Sequence, residues 1–407
     1  MTATAQHKPM HSGFPMQARD LMENLNTEAA KLNFWLRTEM NAPSQRAWFT
    51  DTGGVSGGGE KLGKGRVSAN QHKALPCLWR WKDYGPYLES MSRIAAEAEI
   101  SPIEFADRQS ILLVNPGLGG RLQITSTMRT AISVYVPGDE APAHIHSANA
   151  SRTILTDGGG YTNVEGERCE CRRGDIIWTP NGTWHDHGND STSPVIWIDM
   201  LDWPLLEYLD AAWVDMDYAG TSKTNAKVQQ TTHTDGYSAR LYGTGGLKPG
   251  FVSHQRGWGH NPTPMIHFRG ADVRDALHAL RNEAGDPYEG IVMQFVNPVT
   301  GAPVYPTMDY SAQLLRPGES TRFKRETSST FVIVIEGEGF SEVGGTRYDW
   351  EKNDDLVMPN FLWRRHVNTG KSDAVLYTVS DAALMRNIGQ YRSQGKEADG
   401  NVTQIVP

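Results

Sequence analysis

The sequence predicts a mainly β protein made of two copies of one small β barrel, preceded by a helical region. From about residue 110, short runs of alternating or β-branched residues are broken by Gly, Pro, Asn and Asp, which is typical of barrels and sandwiches. A second series of such runs occupies about 290–380. The 41 glycines and 22 prolines fit a chain rich in turns.

The N-terminal part is predicted to be helical. Residues 16–40 carry apolar side chains at helical spacing, namely Leu21, Leu25, Ala29, Leu32 and Trp35. Residues 51–65 are so rich in glycine that we expect a flexible loop. A second helix is predicted over 84–98, and Ser101 is a candidate cap for another at 101–108.

The two series of strands form an internal repeat. The segment GDIIWTPNGTWHDHGN (174–189) aligns with NDDLVMPNFLWRRHVN (353–368), and PGDEAPAHIH (137–146) aligns with PGESTRFKRE (317–326). Matched positions include Asp175 with Asp354, His187 with His366, and Asn189 with Asn368. We therefore predict two barrels that descend from one β unit.

These features divide the chain into five predicted segments. They are an N-terminal helical region with its loop (1–105), the first barrel (106–205), a linker with helices that include 273–284 (206–285), the second barrel (286–385) and a C-terminal tail (386–407).

Composition and charge argue against several classes of protein. The formal net charge of −8 disfavours a general nucleic-acid binder. No apolar run approaches the roughly 20 residues that span a bilayer. The first residues, MTATAQHKPMHSGFP, are polar and do not resemble a basic-then-apolar leader. We expect a cytoplasmic protein with neither a membrane nor a nucleic-acid partner.

The three cysteines are too few for a disulfide framework. Cys169 and Cys171 have the spacing of two metal ligands, but no second pair completes a site. We predict that they are two thiols on one face of a strand, and that Cys77 is a core residue beside Trp79.

Four histidines give the clearest chemical signal. His144 and His146 lie one residue apart in PAHIHSANASR (142–152), so on a strand they point to the same face. His185 and His187 form a second such pair in WHDHGN. Neutral imidazoles suit a first-row divalent metal. We predict that His144, His146 and His185 bind one metal and leave positions open for substrate and oxygen.

The second repeat has lost these ligands. Lys324, Glu326 and Arg364 occupy the three positions, and neither lysine nor arginine is an ordinary metal ligand at neutral pH. We expect one metal per chain, in the first barrel.

The histidines lie within two spaced motifs, G-x5-H-x-H beginning at Gly138 and G-x5-P-x-G-x2-H-x3-N beginning at Gly174. These resemble the two motifs of the cupin family. The resemblance implies double-stranded β-helix barrels that hold the metal inside, and the repeat implies a bicupin. The glutamate that usually follows the first histidine pair is absent, because Ala150 and Ser151 stand there.

Three-histidine cupins without that carboxylate resemble the Fe(II) ring-cleaving dioxygenases of gentisate, salicylate and 1-hydroxy-2-naphthoate. Segments similar to this family occur in its order, and the resemblance covers about 75–385. They are PCLWRW (76–81), RQSILLVNPGL (108–118), PAHIHSANASR, the run 161–168, WHDHGN and WIDMLDWP (197–204). The resemblance implies one Fe(II) per chain, an aromatic hydroxy acid and O2 as substrates, and a homotetramer.

The chemistry of such a site agrees with that resemblance. Neutral histidines leave the full charge of Fe(II) uncompensated, so a salicylate-like carboxylate and phenolate can bind it together. O2 would then open the ring between the carbons that bear these two groups. Arginine suits a carboxylate because its planar fork donates two hydrogen bonds. The resemblance assigns this role to Arg108 and Arg152, and a structural salt bridge is the alternative for each.

The resemblance also implies other pocket residues. His187 matches a histidine that contacts a substrate oxygen and can orient or deprotonate the hydroxyl. Asp199 matches an acidic residue that would orient His187, with capping of a strand end as the alternative. Arg129 and Ser133 replace a tryptophan and a glutamine of the salicylate-cleaving members. This exchange predicts a substituted or larger hydroxybenzoate, for example one with a second acidic or nitro group. The alternative is that Arg129 points outward and pairs with a neighbour.

Two other functional classes stay open at this point. A different cupin enzyme, quercetinase-like or an isomerase, would keep the barrel but usually uses the missing glutamate. A non-catalytic bicupin that binds small molecules would not need an arginine pair beside three histidines. Oxygen uptake with a panel of salicylates would separate the three.

Overall fold

The computed structural model describes residues 16–37, 74–97, 109–219, 228–250 and 264–406. The helices in these ranges are α1 (Met16–Lys31), α2 (Trp81–Glu97), α3 (Trp203–Tyr208), α4 (Tyr237–Tyr242), α5 (Gly270–Ala279) and α6 (Ala382–Asn387). The predicted loop at 51–65, the predicted helix at 101–108 and Arg108 itself lie outside the described residues. No described helix is long and apolar enough to cross a membrane.

The strands fall into two series. The first comprises β1 (Phe34–Arg37), β2 (Cys77–Trp79), β3 (Ser110–Leu113), β4 (Arg129–Tyr135), β5 (Glu140–His146), β6 (Ala150–Ile154), β7 (Tyr161–Val164), β8 (Glu167–Glu170), β9 (Ile176–Thr179), β10 (His185–Gly188), β11 (Val195–Leu201), β12 (Val214–Asp215) and β13 (His267–Phe268). The second comprises β14 (Ile291–Phe295), β15 (Asp309–Leu315), β16 (Lys324–Glu326), β17 (Thr330–Glu336), β18 (Glu338–Val343), β19 (Thr346–Glu351), β20 (Asp355–Met358), β21 (Arg364–Asn368), β22 (Ala374–Ser380), β23 (Ser393–Lys396) and β24 (Val402–Val406).

Each barrel consists of two sheets, and the strand order is the same in both, except that β1 has no counterpart in the second barrel and β24 has none in the first. The first barrel has the orders β1-β3-β4-β11-β6-β9-β13 and β12-β5-β10-β7-β8. The second has β14-β15-β22-β17-β20-β2 and β19-β18-β21-β16-β23-β24. Equivalent positions in the two barrels are occupied by β4 and β15, β5 and β16, β10 and β21, and β11 and β22. The repeat predicted from the sequence is therefore present in the fold.

The two halves of the chain exchange one strand each. β2 lies before the first barrel in sequence but pairs with β20 of the second. β13 lies before the second barrel but pairs with β9 of the first. Each exchanged strand leads directly into a helix, α2 or α5. Each barrel therefore has an edge strand that comes from outside its own predicted segment.

Aligned aspartates attach the exchanged helices to the barrels. Asp354 Oδ1 accepts a hydrogen bond from the backbone N–H of Trp81, the first residue of α2, at 2.7 Å. Asp175 Oδ1 accepts from the N–H of Gly270, the first residue of α5, at 2.8 Å. A carboxylate at a helix N-terminus satisfies an otherwise unpaired N–H group. A Cβ on Gly270 would lie 2.5 Å from the backbone of Gly174, so this approach requires glycine.

The N-terminal prediction is wrong at its C-terminal end. The helix predicted over 16–40 ends at Lys31, and residues 34–37 form β1, which pairs with β3 of the first barrel. Asn33 adopts a left-handed backbone with φ of 60°, and this conformation ends a helix. Pairing with β3 then outweighs the helical spacing of the apolar residues.

Strands from the predicted linker and from the predicted tail pair with strands of the two barrels. The segment boundaries remain a prediction. The 206–285 stretch contributes β12 and β13 to the first barrel. The 386–407 tail contributes β23 and β24 to the second, where β23 pairs with β16. The helix predicted at 273–284 is α5, which begins three residues earlier, at Gly270. The 206–285 stretch therefore contributes strands to both sheets of the first barrel, and the tail contributes strands to one sheet of the second.

Candidate active site

Four histidines converge inside the first barrel because β5 and β10 are antiparallel neighbours. His185 lies directly opposite His144, and a bulge follows between His185 and His187. The ring centroid of His185 is 4.2 Å from that of His144 and 4.7 Å from that of His146. Nitrogen atoms of His144, His185 and His187 lie within 4.8 Å of one another. Distance alone therefore leaves two overlapping sets of three histidines.

The hydrogen bonds of the rings distinguish the two sets. The Nδ1 atoms of His144, His146 and His185 lie 3.0, 2.8 and 2.9 Å from the backbone carbonyls of Pro142, Ala148 and Thr183, respectively. A carbonyl only accepts, so each Nδ1 must carry the proton. Each Nε2 then keeps its lone pair, which is the form that binds a metal, and the backbone carbonyl fixes the orientation of the ring.

Burial keeps His146 and His185 neutral. Burial, with the charges of neighbouring His144 and Arg152 adding to it, lowers the pKa of His146 to about 3. Burial likewise lowers the pKa of His185 well below its usual value. The Nε2 atom of His185 is buried and has no hydrogen-bond partner among the described residues. An unpaired lone pair in a buried site is costly, and a cation held by His144, His146 and His185 would satisfy it.

His187 differs because both of its nitrogens are engaged by side chains. Arg152 Nη2 lies 2.8 Å from His187 Nε2, and Thr162 Oγ1 lies 3.1 Å from His187 Nδ1. A guanidinium only donates, so Nε2 accepts and, in the neutral ring, Nδ1 donates to Thr162. Burial, followed by the charge of Arg152, lowers the pKa of His187 well below its usual value. His187 is therefore a neutral acceptor next to the three candidate metal ligands.

Arg152 is buried and is held from two sides. Its Nη1 donates to Thr179 Oγ1 at 3.0 Å, and its Nε lies 3.2 Å from Asp199 Oδ1. The Nε–Oδ1 contact has the distance of an ion pair but not the angle of a hydrogen bond, so it is a charge contact. These two contacts leave Nη2 directed at His187.

Asp199 lies on β11 between Arg152 and Ser133. Its Oδ2 accepts hydrogen bonds from Ser133 Oγ at 2.9 Å and from Trp197 Nε1 at 3.1 Å. It was predicted to orient His187, and in the structure it is connected to His187 through Arg152. Ser133 therefore belongs to the chain of contacts that leads from Asp199 through Arg152 to His187, beyond the effect of its small size that the sequence suggested.

Arg129 is buried and paired. It forms an ion pair with Glu207 of α3 at 3.0 Å, and its Nε donates to the carbonyl of Leu122 at 2.8 Å. At the equivalent position of β15, Asp309 forms an ion pair with Arg386 of α6. The two barrels therefore carry the same pair with the charges exchanged. Asp309 and Arg386 line the cavity of the second barrel.

The ligand positions of the second barrel hold an ion-pair network. Lys324 lies directly opposite Arg364, as His144 lies opposite His185. Lys324 Nζ is 3.1 Å from Glu326 Oε2, and Arg364 also pairs with Glu326. Neither cation offers a lone pair to a metal.

The cysteines were not predicted to belong to the site, and Cys169 and Cys171 are indeed buried in an apolar cluster of the first barrel, while Cys77 is half-buried. Other residues that contact the site were missed. Thr162, Thr179 and Glu207 contact site residues but were not predicted. Thr162 and Thr179 lie on strands that are buried at every position, and Glu207 lies on the short helix α3, so no local pattern marked them.

Comparisons with known proteins agree with this arrangement. The cupin domain family matches residues 131–201 and 312–380. Over 331 residues the chain is 37% identical to a 5-aminosalicylate 1,2-dioxygenase of Comamonas sp, a match that covers 80% of this chain and 83% of the relative. It is 32% identical to gentisate 1,2 dioxygenase 1 of Aquipseudomonas alcaligenes, over 78% and 86% of the two chains. A structure of salicylate 1,2-dioxygenase from Pseudoaminobacter salicylatoxidans as an adduct with gentisate superimposes with a TM-score of 0.69 at 28% identity, and covers 80% and 86%.

Proposed function

The chain belongs to the bicupin ring-cleaving dioxygenases of gentisate, salicylate and 1-hydroxy-2-naphthoate, and from this premise we propose its substrate, metal and pocket residues. The substrate is a 2-hydroxybenzoate, the metal is one Fe(II) per chain, and the ligands are His144, His146 and His185. The bond between the carboxylate-bearing and hydroxyl-bearing ring carbons breaks, and both atoms of O2 enter the open-chain product.

The contact between Arg152 and His187 carries the proposal. A donor, Arg152 Nη2, and an acceptor, His187 Nε2, lie 2.8 Å apart beside the metal ligands. A 2-hydroxybenzoate presents the inverse pair, since its carboxylate accepts and its neighbouring hydroxyl donates. Substrate entry exchanges one hydrogen bond within the protein for two with the substrate. The carboxylate takes Arg152, and the hydroxyl proton goes to His187 Nε2.

Fe(II) held by His144, His146 and His185 would act as a Lewis acid toward the substrate oxygens and would activate O2 beside the ring. The protein supplies the rest. Asp199 and Thr179 hold the Arg152 guanidinium in place, so little side-chain entropy is lost when the carboxylate binds. Thr162 keeps the proton of His187 on Nδ1 and thereby leaves Nε2 to receive the hydroxyl proton. Arg108 remains a proposed second partner of the carboxylate.

The pair of Arg129 and Glu207 supports a polar substituent on the ring. Because Glu207 already neutralises Arg129, the wall offers both donors and an acceptor rather than a bare positive charge. A hydroxyl or amino group matches both. The relatives named for gentisate and 5-aminosalicylate carry such groups on their substrates. The small side chain of Ser133 leaves room near the same wall.

Oxygen uptake by the iron-loaded protein tests the proposal. Gentisate, salicylate, 5-aminosalicylate and 1-hydroxy-2-naphthoate should be compared with benzoate and phenol, each of which lacks one of the two groups. Uptake with at least one 2-hydroxy acid and none with benzoate or phenol is expected. Uptake with none of the hydroxy acids would contradict the proposal. The proposed homotetramer is checked on the same preparation by light scattering during gel filtration.

A further inference from the structure

The interior of the second barrel contains a cavity of about 330 Å³. Its size is at the lower end of the range for small-molecule sites, roughly 300–1,000 Å³. Its wall includes Gln313, Lys324, Glu326, Arg364 and His366. By the matching strand orders, this cavity is the counterpart of the proposed substrate pocket in the first barrel.

The acidic groups of the cavity have the hydrogen-bond donors they need. Glu326 accepts from Arg364, from Tyr391 Oη at 2.9 Å and from Thr330 Oγ1 at 3.3 Å, and it lies 3.1 Å from Lys324 Nζ. The carboxylate of Glu289 accepts from Lys324 Nζ at 2.8 Å and from Gln313 Nε2. Two carboxylates therefore balance two buried cations, and neither of these two acidic groups calls for a bound cation.

Two groups of the cavity wall are left with hydrogen-bonding capacity. Gln313 is 3% exposed, and its Oε1 has no partner among the described residues. Its amide cannot be turned over, because Nε2 must face Glu289 to donate to it. Arg364 is 6% exposed, lines the cavity and engages Glu326 through Nη2, so Glu326 does not use most of its five donors. Gln313 Oε1 therefore lacks a donor, and Arg364 keeps donors that a ligand can use.

These requirements describe a ligand with a carboxylate and a hydroxyl. We propose that the second barrel is a metal-free binding site for a small hydroxycarboxylic acid, with the carboxylate on Arg364 and the hydroxyl donating to Gln313 Oε1. Planar bidentate pairing suits an arginine fork, and the buried acceptor gains the partner it lacks. Burial lowers the pKa of His366 to about 4, so this neighbouring ring is neutral and does not compete for the carboxylate.

The site is independent of the metal and of turnover in the first barrel. Gln313 corresponds to Ser133 and Arg386 to Glu207, so the two cavities differ in their polar groups while sharing one architecture. The second cavity would act as a store or sensor of a substrate-like acid. Its occupancy can be measured without any reaction.

Equilibrium dialysis of the iron-loaded protein with salicylate under anaerobic conditions tests the inference, because no turnover occurs without O2. Two salicylates per chain are expected for the wild type. Gln313→Leu should reduce this to one and leave oxygen uptake unchanged. Arg152→Met should remove the other site and keep the one in the second barrel. At that remaining site, benzoate should bind about fivefold more weakly than salicylate, as the loss of one hydrogen bond implies.

A single salicylate per chain in the wild type, lost in Arg152→Met, would overturn the inference without any reliance on how the Gln313 variant folds. Two salicylates bound per chain in both the wild type and Gln313→Leu would overturn the inference as well. If the proposed function fails and no hydroxy acid is consumed, the metal-stripped protein should still bind one salicylate in the second barrel. The two failures are thus distinguishable.

Discussion

Arg152 and His187 face each other across the first barrel, with Nη2 and Nε2 2.8 Å apart. The guanidinium decides which nitrogen of the imidazole carries the proton, and Thr162 Oγ1 accepts a hydrogen bond from that Nδ1–H on the other side of the ring. The aligned pair in the second barrel is Ser341 and His366, whose Oγ and Nδ1 are 2.8 Å apart. The chain therefore contains its own control for the role of this hydroxyl.

Thr162→Val should lower kcat about tenfold with a smaller change in KM. The valine keeps the shape but removes the acceptor for Nδ1–H, so the neutral ring can place its proton on Nε2 instead. Thr162→Ser should restore most of the rate, and Ser341→Ala in the second barrel should have no effect. Steady-state oxygen uptake across a pH series measures this. A Thr162→Val enzyme with the wild-type pH profile and rate would contradict the assignment.

Replacing single histidines should separate the two possible metal sets. His146→Ala should reduce bound iron from about one per chain to less than a tenth, since it removes a ligand whose Nε2 keeps its lone pair. His187→Asn should keep the iron and lose most of the activity, because its nitrogens bind Arg152 and Thr162. Metal analysis after gel filtration measures both. Loss of iron in His187→Asn with retention in His146→Ala would assign His187 to the metal instead.

Glu207→Gln should change the preference among substrates. The variant removes the negative charge that faces Arg129, which favours a second acidic or nitro group on the ring. We expect the ratio of kcat/KM for such a salicylate over 5-aminosalicylate to rise about tenfold. The double variant Arg129→Asp with Glu207→Arg, which copies Asp309 and Arg386 of the second barrel, should fold and lose that preference. Unchanged ratios in Glu207→Gln would place the pair outside the substrate pocket.

His267 should stabilise the fold in its charged form. Its Nε2 lies 2.9 Å from Asp175 Oδ2, and its Nδ1 lies 3.2 Å from Asp235 Oδ1. Burial alone would lower the pKa of His267, but the two aspartates outweigh it and raise the pKa well above its usual value. This stabilisation is complete below the unfolded-state pKa of about 6.5 and is lost as pH rises through the folded-state pKa.

His267→Gln should therefore lower the free energy of unfolding by about 3 kcal/mol at pH 6, since Asp175 loses its buried partner. The difference from the wild type should shrink as the pH rises above neutrality. Denaturant titration from pH 6 to pH 10 measures it. A difference that grows with pH would mean that the folded ring is neutral.

The sequence alone determined the barrels and their repeat, because strand alternation and glycine-containing turns are local patterns. It also aligned Asn189 with Asn368, and in the structure both side-chain amides donate to the carbonyl that ends a neighbouring strand, those of Tyr135 and Leu315, at 2.8 Å each. The H-x-H spacing placed His144 and His146 on one strand, and the lost ligands of the second copy followed from the same alignment.

Only the tertiary structure decided which barrel receives β2 and β13, and which side chains hold Arg129, Arg152 and His187. The partners Glu207, Thr179 and Thr162 lie 25 to 78 positions away along the chain. A hydrogen bond over such a separation has no period and leaves no local signal. It forms only when the sheets close, because closure brings β5, β6, β7, β9 and β10 around one interior and puts every inward side chain within reach of the others.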